Sequence, residues 1–442
     1  MNPMPTSTRP LLHRQVRFHH QTGATTLIVV MMLFFVMSLA AAYASRNLIF
    51  EQRTSANQYR STQSFEAAEA GLEWATALLN GGRINSSCLP SADTSFDSFR
   101  QRYLLTNVNT GVVTQRLNTS SSSAYLWAAC SFDGSSWTCA CPTGTLAAAD
   151  LPTGQLAFAV RFVEQSGKPG MVRIEANGCN SYDLSCLRFE IPTASPFVCR
   201  STACAMLALH SGAKAAPLAA LTVRQGVTGS ALAVYNSNVA NGGITIHSGG
   251  AVSVAALTLG STPGTPGAPS LRQNDSLLST LPADSADCSY CTFSTVFGLR
   301  PETYRRQMGT LNVACGAACT ATQVNTALAS QRGRVVYLRG AGGLNIDDPA
   351  AAIGSATDPV VLVIEGPLVV AAGAGASARI HGLVYANSAS LNGGAIRGAL
   401  ISATDVTGAS PATVIYDGTA LARLRLTSGS FVRVPGSWRD FP

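Results

Sequence analysis

Residues 24–44 read ATTLIVVMMLFFVMSLAAAYA, 21 positions without a charge. At about 1.5 Å per residue, a helix of that length crosses a hydrocarbon core of about 30 Å. One part of the chain is thereby assigned to a membrane, and the residues beyond it have to fold on a single side. Arg9, Arg14 and Arg17 precede the run and no acid occurs before Glu51. The positive-inside rule therefore predicts a cytoplasmic start and an exported chain after Tyr43. The small residues Ala40 to Ala44 would also suit an ordinary secretory signal, and a plain signal anchor with a helical stalk is a further reading. The helical pattern, however, continues past the membrane run. Residues 45–80 lack proline, are rich in Ala, Gln, Glu and Arg, and end at the helix stop Asn80-Gly81-Gly82. A helix over 24–80 would be about 85 Å long. Its outer half carries Phe65, Ala68, Leu72, Ala75 and Leu79 at three- and four-residue steps, a stripe that needs a partner surface.

The join between basic leader and apolar run is Gln21-Thr22-Gly23-Ala24-Thr25-Thr26-Leu27-Ile28, which resembles the type IV prepilin cleavage site. Farther on lies Ser64-Phe65-Glu66-Ala67-Ala68-Glu69-Ala70-Gly71-Leu72-Glu73-Trp74-Ala75. Together the two segments are similar to the N-terminal region of PilX-type minor pilins, with Ala67, Ala68, Glu69, Ala70, Gly71 and Leu72 as the family block. The ending Val434-Pro435-Gly436-Ser437-Trp438-Arg439-Asp440-Phe441 also resembles that of large members of the group. The resemblance implies cleavage after Gly23 by the prepilin peptidase and N-methylation of Ala24. It also implies insertion of Leu27, Ile28, Val29, Leu33, Phe34 and Phe35 into a pilus core among other pilins. The protein would reside in the bacterial inner membrane before assembly, with a periplasmic C-terminal part, and then in a cell-surface pilus. One departure is informative: Ile28, the fifth residue after the cleavage point, stands where major pilins carry Glu. A carboxylate in a membrane is costly unless paired, and a subunit with nothing ahead of it in the fibre has no use for one. The expectation is a structural subunit at or near the pilus tip, needed for assembly or adhesion, with a tip adhesin as a candidate partner. The competing readings are a tip pseudopilin of a type II secretion system and a membrane-anchored polysaccharide-active enzyme with a β-helical body.

Charged residues make up 12 % of the chain against about 25 % in ordinary soluble domains, while the hydrophobic fraction of 46 % is ordinary. With 40 glycines, this composition suits uncharged strands and turns better than surface helices, and it is unlike disordered chains, which pair low hydrophobicity with high charge. The net charge of +7 lies partly in the leader and forms no Lys/Arg patch interleaved with aromatics, so no nucleic-acid partner is expected.

Strand-like runs at Leu156–Glu164, Met171–Ala176 and Leu187–Ile191 predict a small antiparallel meander that can cover the helix stripe. Residues 81–150 read as loops. From about 205, short apolar triplets alternate with Gly, Ser and Asn: Leu221-Thr222-Val223, Ile244-Thr245-Ile246, Val252-Ser253-Val254. Ile380-His381-Gly382 returns as Ile396-Arg397-Gly398. The fold class expected is α+β: a long N-terminal pilin helix on a small antiparallel sheet, then a large β-rich domain that is β-helix or solenoid-like, with a β-sandwich as the alternative. The expected divisions are a leader at 1–23, the helix at 24–80, a pilin-like α/β region at 81–204, and a display domain at 205–442. The last carries an insertion at 266–340, with helices near Pro301–Met308 and Thr320–Ser330.

Twelve cysteines group as Cys139/Cys141, Cys179/Cys186, Cys199/Cys204, Cys288/Cys291 and Cys315/Cys319, with Cys88 and Cys130 left over. Such spacings suit local disulfides in an oxidising compartment. Zinc held by Cys288, Cys291, Cys315 and Cys319 is the competing reading. Asn345, Asp347 and Asp348 could offer oxygens to calcium but read better as a loop. His247 and His381 flank strand-like runs. No Gly-x-Ser-x-Gly elbow, phosphate loop, His-Glu-x-x-His or dinucleotide fingerprint occurs, so neither enzyme activity nor a cofactor or metal is expected.

Overall fold

A computed structural model describes residues 22–440, apart from 118–125, 148–149, 190–199, 375–376, 378 and 410–411. The leader therefore lies outside the described residues except for Thr22 and Gly23. The chain divides into two compact units, Met1–Tyr59 and Arg60–Pro442. Helix α1 (Thr22–Leu79) runs through both without a break, as its lack of proline allows.

In the first unit, the side chains of residues 25–59 are exposed, and this helix is long and apolar enough to cross a membrane. Two of its hydroxyls bond within the helix: Ser38 Oγ donates to the Phe34 carbonyl at 2.7 Å and Thr54 Oγ1 to that of Phe50 at 2.9 Å. An apolar surrounding requires such internal pairing.

The second unit begins with the outer half of α1 packed on a six-stranded antiparallel sheet. The strand order is Gly429–Arg433, Arg200–Ser211, Met171–Cys179, Leu156–Glu164, Ala128–Phe132 and Trp137–Ala140. Alternation along two of these strands places Phe158, Val160, Phe162, Val172, Ile174 and Ala176 in one core with Ala68, Leu72, Ala75 and Leu79 of α1. The third strand of the meander is Arg200–Ser211 rather than Leu187–Ile191. Of the earlier segment, Leu187 ends a helical turn, Leu184–Leu187, which the Asp183 side chain caps by accepting from the Ser185 N–H at 2.8 Å, and residues 190 and 191 lie outside the described residues. The loops expected over 81–150 also hold regular structure. Ser98 caps the Phe99–Tyr103 helix, and Asp133-Gly134-Ser135-Ser136 turns a hairpin between Ala128–Phe132 and Trp137–Ala140.

The β-rich part is a solenoid. Every strand pairing within its 15-stranded sheet is parallel, which is incompatible with an antiparallel sandwich. The repeated Ile-x-Gly motifs lie side by side, Ile380 against Ile396 and Gly382 against Gly398. Both glycines take positive φ, and a Cβ on Gly382 would fall 1.8 Å from the Val360 oxygen, so only glycine lets these rungs stack.

The coils do not stack in chain order. The chain enters mid-stack at Leu221–Val223 and lays Ile246–Ser248 and then Leu271–Arg272 outward. It leaves, re-enters at the opposite end with Thr310–Ala314, and returns through Val335–Arg339, Val360–Val370 and Arg379–Leu391. Ala395–Ser402 then closes against the first coil, Leu400 beside Leu221 and Ser402 beside Val223. The segment expected as an insertion at 266–340 thus contributes coils of its own, since Thr310–Ala314 and Val335–Arg339 carry the same apolar alternation as the rest. The two helices expected there cover Pro301–Arg305 and Ala321–Leu328, the second opened by a Thr320/Gln323 capping box.

The boundary expected at 204/205 falls inside the Arg200–Ser211 strand. That strand pairs directly with Gly429–Arg433, Ser211 beside Gly429. The solenoid, residues 212–428, is therefore inserted between two neighbouring strands of the small sheet, and the C-terminus belongs to the sheet.

Candidate functional site

The first candidate is the apolar surface of α1. Leu27, Ile28, Val29, Leu33, Phe34 and Phe35 are each more than half exposed, Ile28 at 57 % and Phe34 at 72 %. Gly23 and Ala24 lie in the first turn of α1.

The second is the face where α1 meets the sheet, and it accounts for the block at 67–72 in physical terms. Ala67, Ala68 and Leu72 are buried, and Ala70 packs partly against the same core. Small side chains there let backbones meet. A Cβ added to Gly71 would lie 3.0 Å from the Phe158 ring and 3.2 Å from the Ala176 Cβ, and one on Gly178 would lie 2.0 Å from the Ser64 carbonyl oxygen. Glu69 points to the C-terminal segment, where its carboxylate accepts from the Trp438 indole N–H. Trp438 also meets Phe65 edge-on at 6.1 Å, and Glu73 pairs with Arg433 at 2.7 Å. Ser437 donates to the Met206 carbonyl, and Arg439 exchanges two backbone hydrogen bonds with Cys204 at 2.8 Å. The two segments that resemble the family from opposite ends of the chain are in contact.

The end of α1 is fastened to the same strand. Asn80 Nδ2 donates to the Phe431 carbonyl at 2.8 Å, and its Oδ1 accepts from the Phe431 N–H at 2.7 Å. Arg100 donates to the Leu79 carbonyl at 3.1 Å and to that of Gly429 at 2.9 Å, with its guanidinium over the Phe431 ring. Burial lowers the pKa of Arg100 to about 10.

The disulfides are Cys88–Cys141, Cys130–Cys139, Cys179–Cys186, Cys288–Cys291 and Cys315–Cys319. Cys139 and Cys141 therefore do not form a pair. Cys130 and Cys139 are opposite residues of the hairpin, which brings their side chains together, while Cys141 meets the 85–89 turn. The four thiols considered for zinc are consumed in two disulfides. Cys199 lies outside the described residues, and Cys204 is buried. Asp348 accepts from the Ala350 N–H at 2.8 Å within a turn, and His247 Nε2 lies 2.7 Å from Asp275 Oδ2.

A third place was not legible in the sequence. A cavity of ≈ 300 Å³ opens on the flank of the solenoid, between the helical segment at 293–305 and a rung formed by Tyr337, Val363 and Tyr385. Three carboxylates line it: Asp284, Glu302 and Glu365. Asp284 accepts from the Tyr385 hydroxyl and, at 3.2 Å, from the Phe293 N–H. Burial raises the Asp284 pKa, opposed by those hydrogen bonds and the charge of Arg224. Arg305 pairs with Glu302 and stands 3.9 Å from Glu365. Asp284 also lies near Cys288 and Cys291, which are joined to each other. The three acids come from separate segments, so no spacing marks them.

Residues 22–73 match the family model described as PilX N-terminal. No curated protein matches the chain. Among solved structures, the competence-associated pilin ComZ from Thermus thermophilus aligns over 86 % of this chain and 97 % of its own, at 12 % identity and a TM-score of 0.23. The family match spans the exposed apolar half of α1 and the small-residue block that seats the other half on the sheet. Over that N-terminal region the chain is similar to the PilX-type minor pilins.

Proposed function

We propose that the protein is a minor pilin incorporated at or near the tip of a type IV pilus, where it supports assembly or adhesion as a structural rather than a catalytic subunit. The observation that carries the reading is Ile28. It occupies an exposed position on a helix otherwise suited to a fibre core, and it cannot offer the carboxylate that would pair with a subunit ahead. On this reading the prepilin peptidase cuts after Gly23 and Ala24 is N-methylated. The helix waits in the inner membrane with residues beyond Tyr43 in the periplasm, then enters the fibre through contacts with other pilins. The solenoid is displayed outward, with a tip adhesin as a candidate partner.

N-terminal sequencing of the protein from sheared surface fibres tests the processing: a chain starting at methylated Ala24 is expected, and one starting near Ser45 refutes it. Immunogold labelling tests the position, because even decoration along the fibres is incompatible with a tip subunit. If deletion blocks protein export and leaves piliation intact, the protein belongs instead to a type II secretion pseudopilus.

A further inference from the structure

The flank cavity is lined by residues of the solenoid rungs and of the helical segment beside them. Its charges balance: Glu302 is paired with Arg305 and Arg306, Glu365 faces Arg305, and Asp284 faces Arg224. Each carboxylate thus has a guanidinium facing it, so charge alone does not define the ligand. Fixed hydrogen-bonding groups of both kinds remain over an apolar floor of Phe293 and Val363. Carboxylate oxygens accept, the Arg305 guanidinium donates, and the exposed Asn387 amide can do either. Asn387 makes no side-chain hydrogen bond among the described residues.

A ligand that fits has hydroxyls that both donate and accept around its edge, and C–H faces that rest on apolar surface. A pyranose ring has both. The volume of ≈ 300 Å³ lies at the lower end of the range of about 300–1,000 Å³ for small-molecule sites, which suits one ring and not a chain segment. We propose that this cavity binds a single neutral pyranose residue at the end of a glycan. The inference goes beyond the fibre reading and holds wherever in the pilus the subunit sits.

The test uses the full-length chain in a detergent without sugar headgroups. Methyl glycosides of glucose, galactose, mannose and N-acetylglucosamine are titrated, with saturation-transfer NMR and calorimetry as readouts. At least one is expected to bind with a dissociation constant of about 1 mM. Asn387→Ala and Glu365→Gln, both at exposed positions, are each expected to weaken that binding about tenfold while leaving the melting temperature unchanged. Absence of binding by every glycoside at about 50 mM, or binding that neither variant weakens, overturns the proposal. Binding of a free sugar without its methyl glycoside overturns the assignment to a glycan end.

Discussion

Gly178→Ala is the sharpest test of how α1 is seated. Position 178 lies on the Met171–Cys179 strand, and the added methyl would sit 2.0 Å from the Ser64 carbonyl oxygen and 2.3 Å from the Ala68 amide nitrogen. Both are helix backbone atoms, so no side-chain rotation relieves the overlap. Ordinary carbon contacts lie at about 3.5–4.0 Å, and the helix has to lift from the sheet by more than about 1 Å. That shift also loosens Leu72, Phe158 and Ala176, which share the buried core. Overpacking of this kind costs about 1–3 kcal/mol where side chains can yield, and the rigid neighbours here place Gly178→Ala at or above about 3 kcal/mol. Gly71→Ala meets only the Phe158 ring and the Ala176 methyl, at 3.0–3.2 Å, and is expected to cost about 1 kcal/mol. Gly144→Ala meets nothing within 4 Å and is the control. Urea unfolding of the detergent-solubilised chain, followed by tryptophan fluorescence to which Trp74 on α1 and Trp438 against it contribute, gives the ranking. Equal midpoints for the Gly178 and Gly144 variants would refute the close-approach argument.

Asn80→Ala strands a buried N–H and a buried carbonyl of Phe431 and is expected to cost about 2–4 kcal/mol. Hydrogen exchange at the Phe431 amide should accelerate, and an unchanged rate argues against the pairing. Peptide mapping without reduction should recover Cys88 linked to Cys141 and Cys130 linked to Cys139; a Cys139–Cys141 link contradicts the hairpin register. Asp284 has a raised folded pKa because of burial. Its contribution to stability is therefore fully present below the unfolded value of about 3.9 and is lost as pH rises through the folded value. Asp284→Asn should accordingly raise the melting temperature at about pH 7 and leave it unchanged at about pH 3; the reverse pattern contradicts the desolvation argument.

The local signals in the sequence translate directly into structure. The stripe Ala68, Leu72, Ala75 and Leu79 is buried as the helical period demands, and the two Ile-x-Gly repeats become one register. The Cys130–Cys139 link was also within reach of local reasoning, since Asp133-Gly134 between two strand-like runs signals a hairpin that brings those residues opposite each other. The Asp133 carboxylate holds that turn by accepting from the Ser135 and Ser136 N–H groups, which lower its pKa to about 2. The grouping of Cys139 with Cys141 followed sequence proximity, whereas alternate residues of a strand project to one face without pairing. The cavity and the return of the chain into the stack had no such signal, because each joins segments far apart in sequence.

That return explains why the solenoid can be inserted where it is. Solenoids leave edges at both ends, and an open strand edge is a liability. Here the last coil lies against the first, Leu400 beside Leu221 and Val406 beside Val227, so the entry and exit of the chain are neighbours in mid-stack. Neighbouring entry and exit points are what an insertion between the adjacent strands Arg200–Ser211 and Gly429–Arg433 requires. Had the coils stacked in chain order, entry and exit would stand at opposite ends, and a long connection would be needed to reach Gly429. The same closure makes the joint depend on coils laid down last. Its pairing forms only after the loop between Leu221 and Leu400 has closed, a contact of high sequence separation that forms slowly. The small sheet and the Trp438 contact with α1 thus join segments from both sides of the inserted solenoid, so each depends on its entry and exit lying side by side.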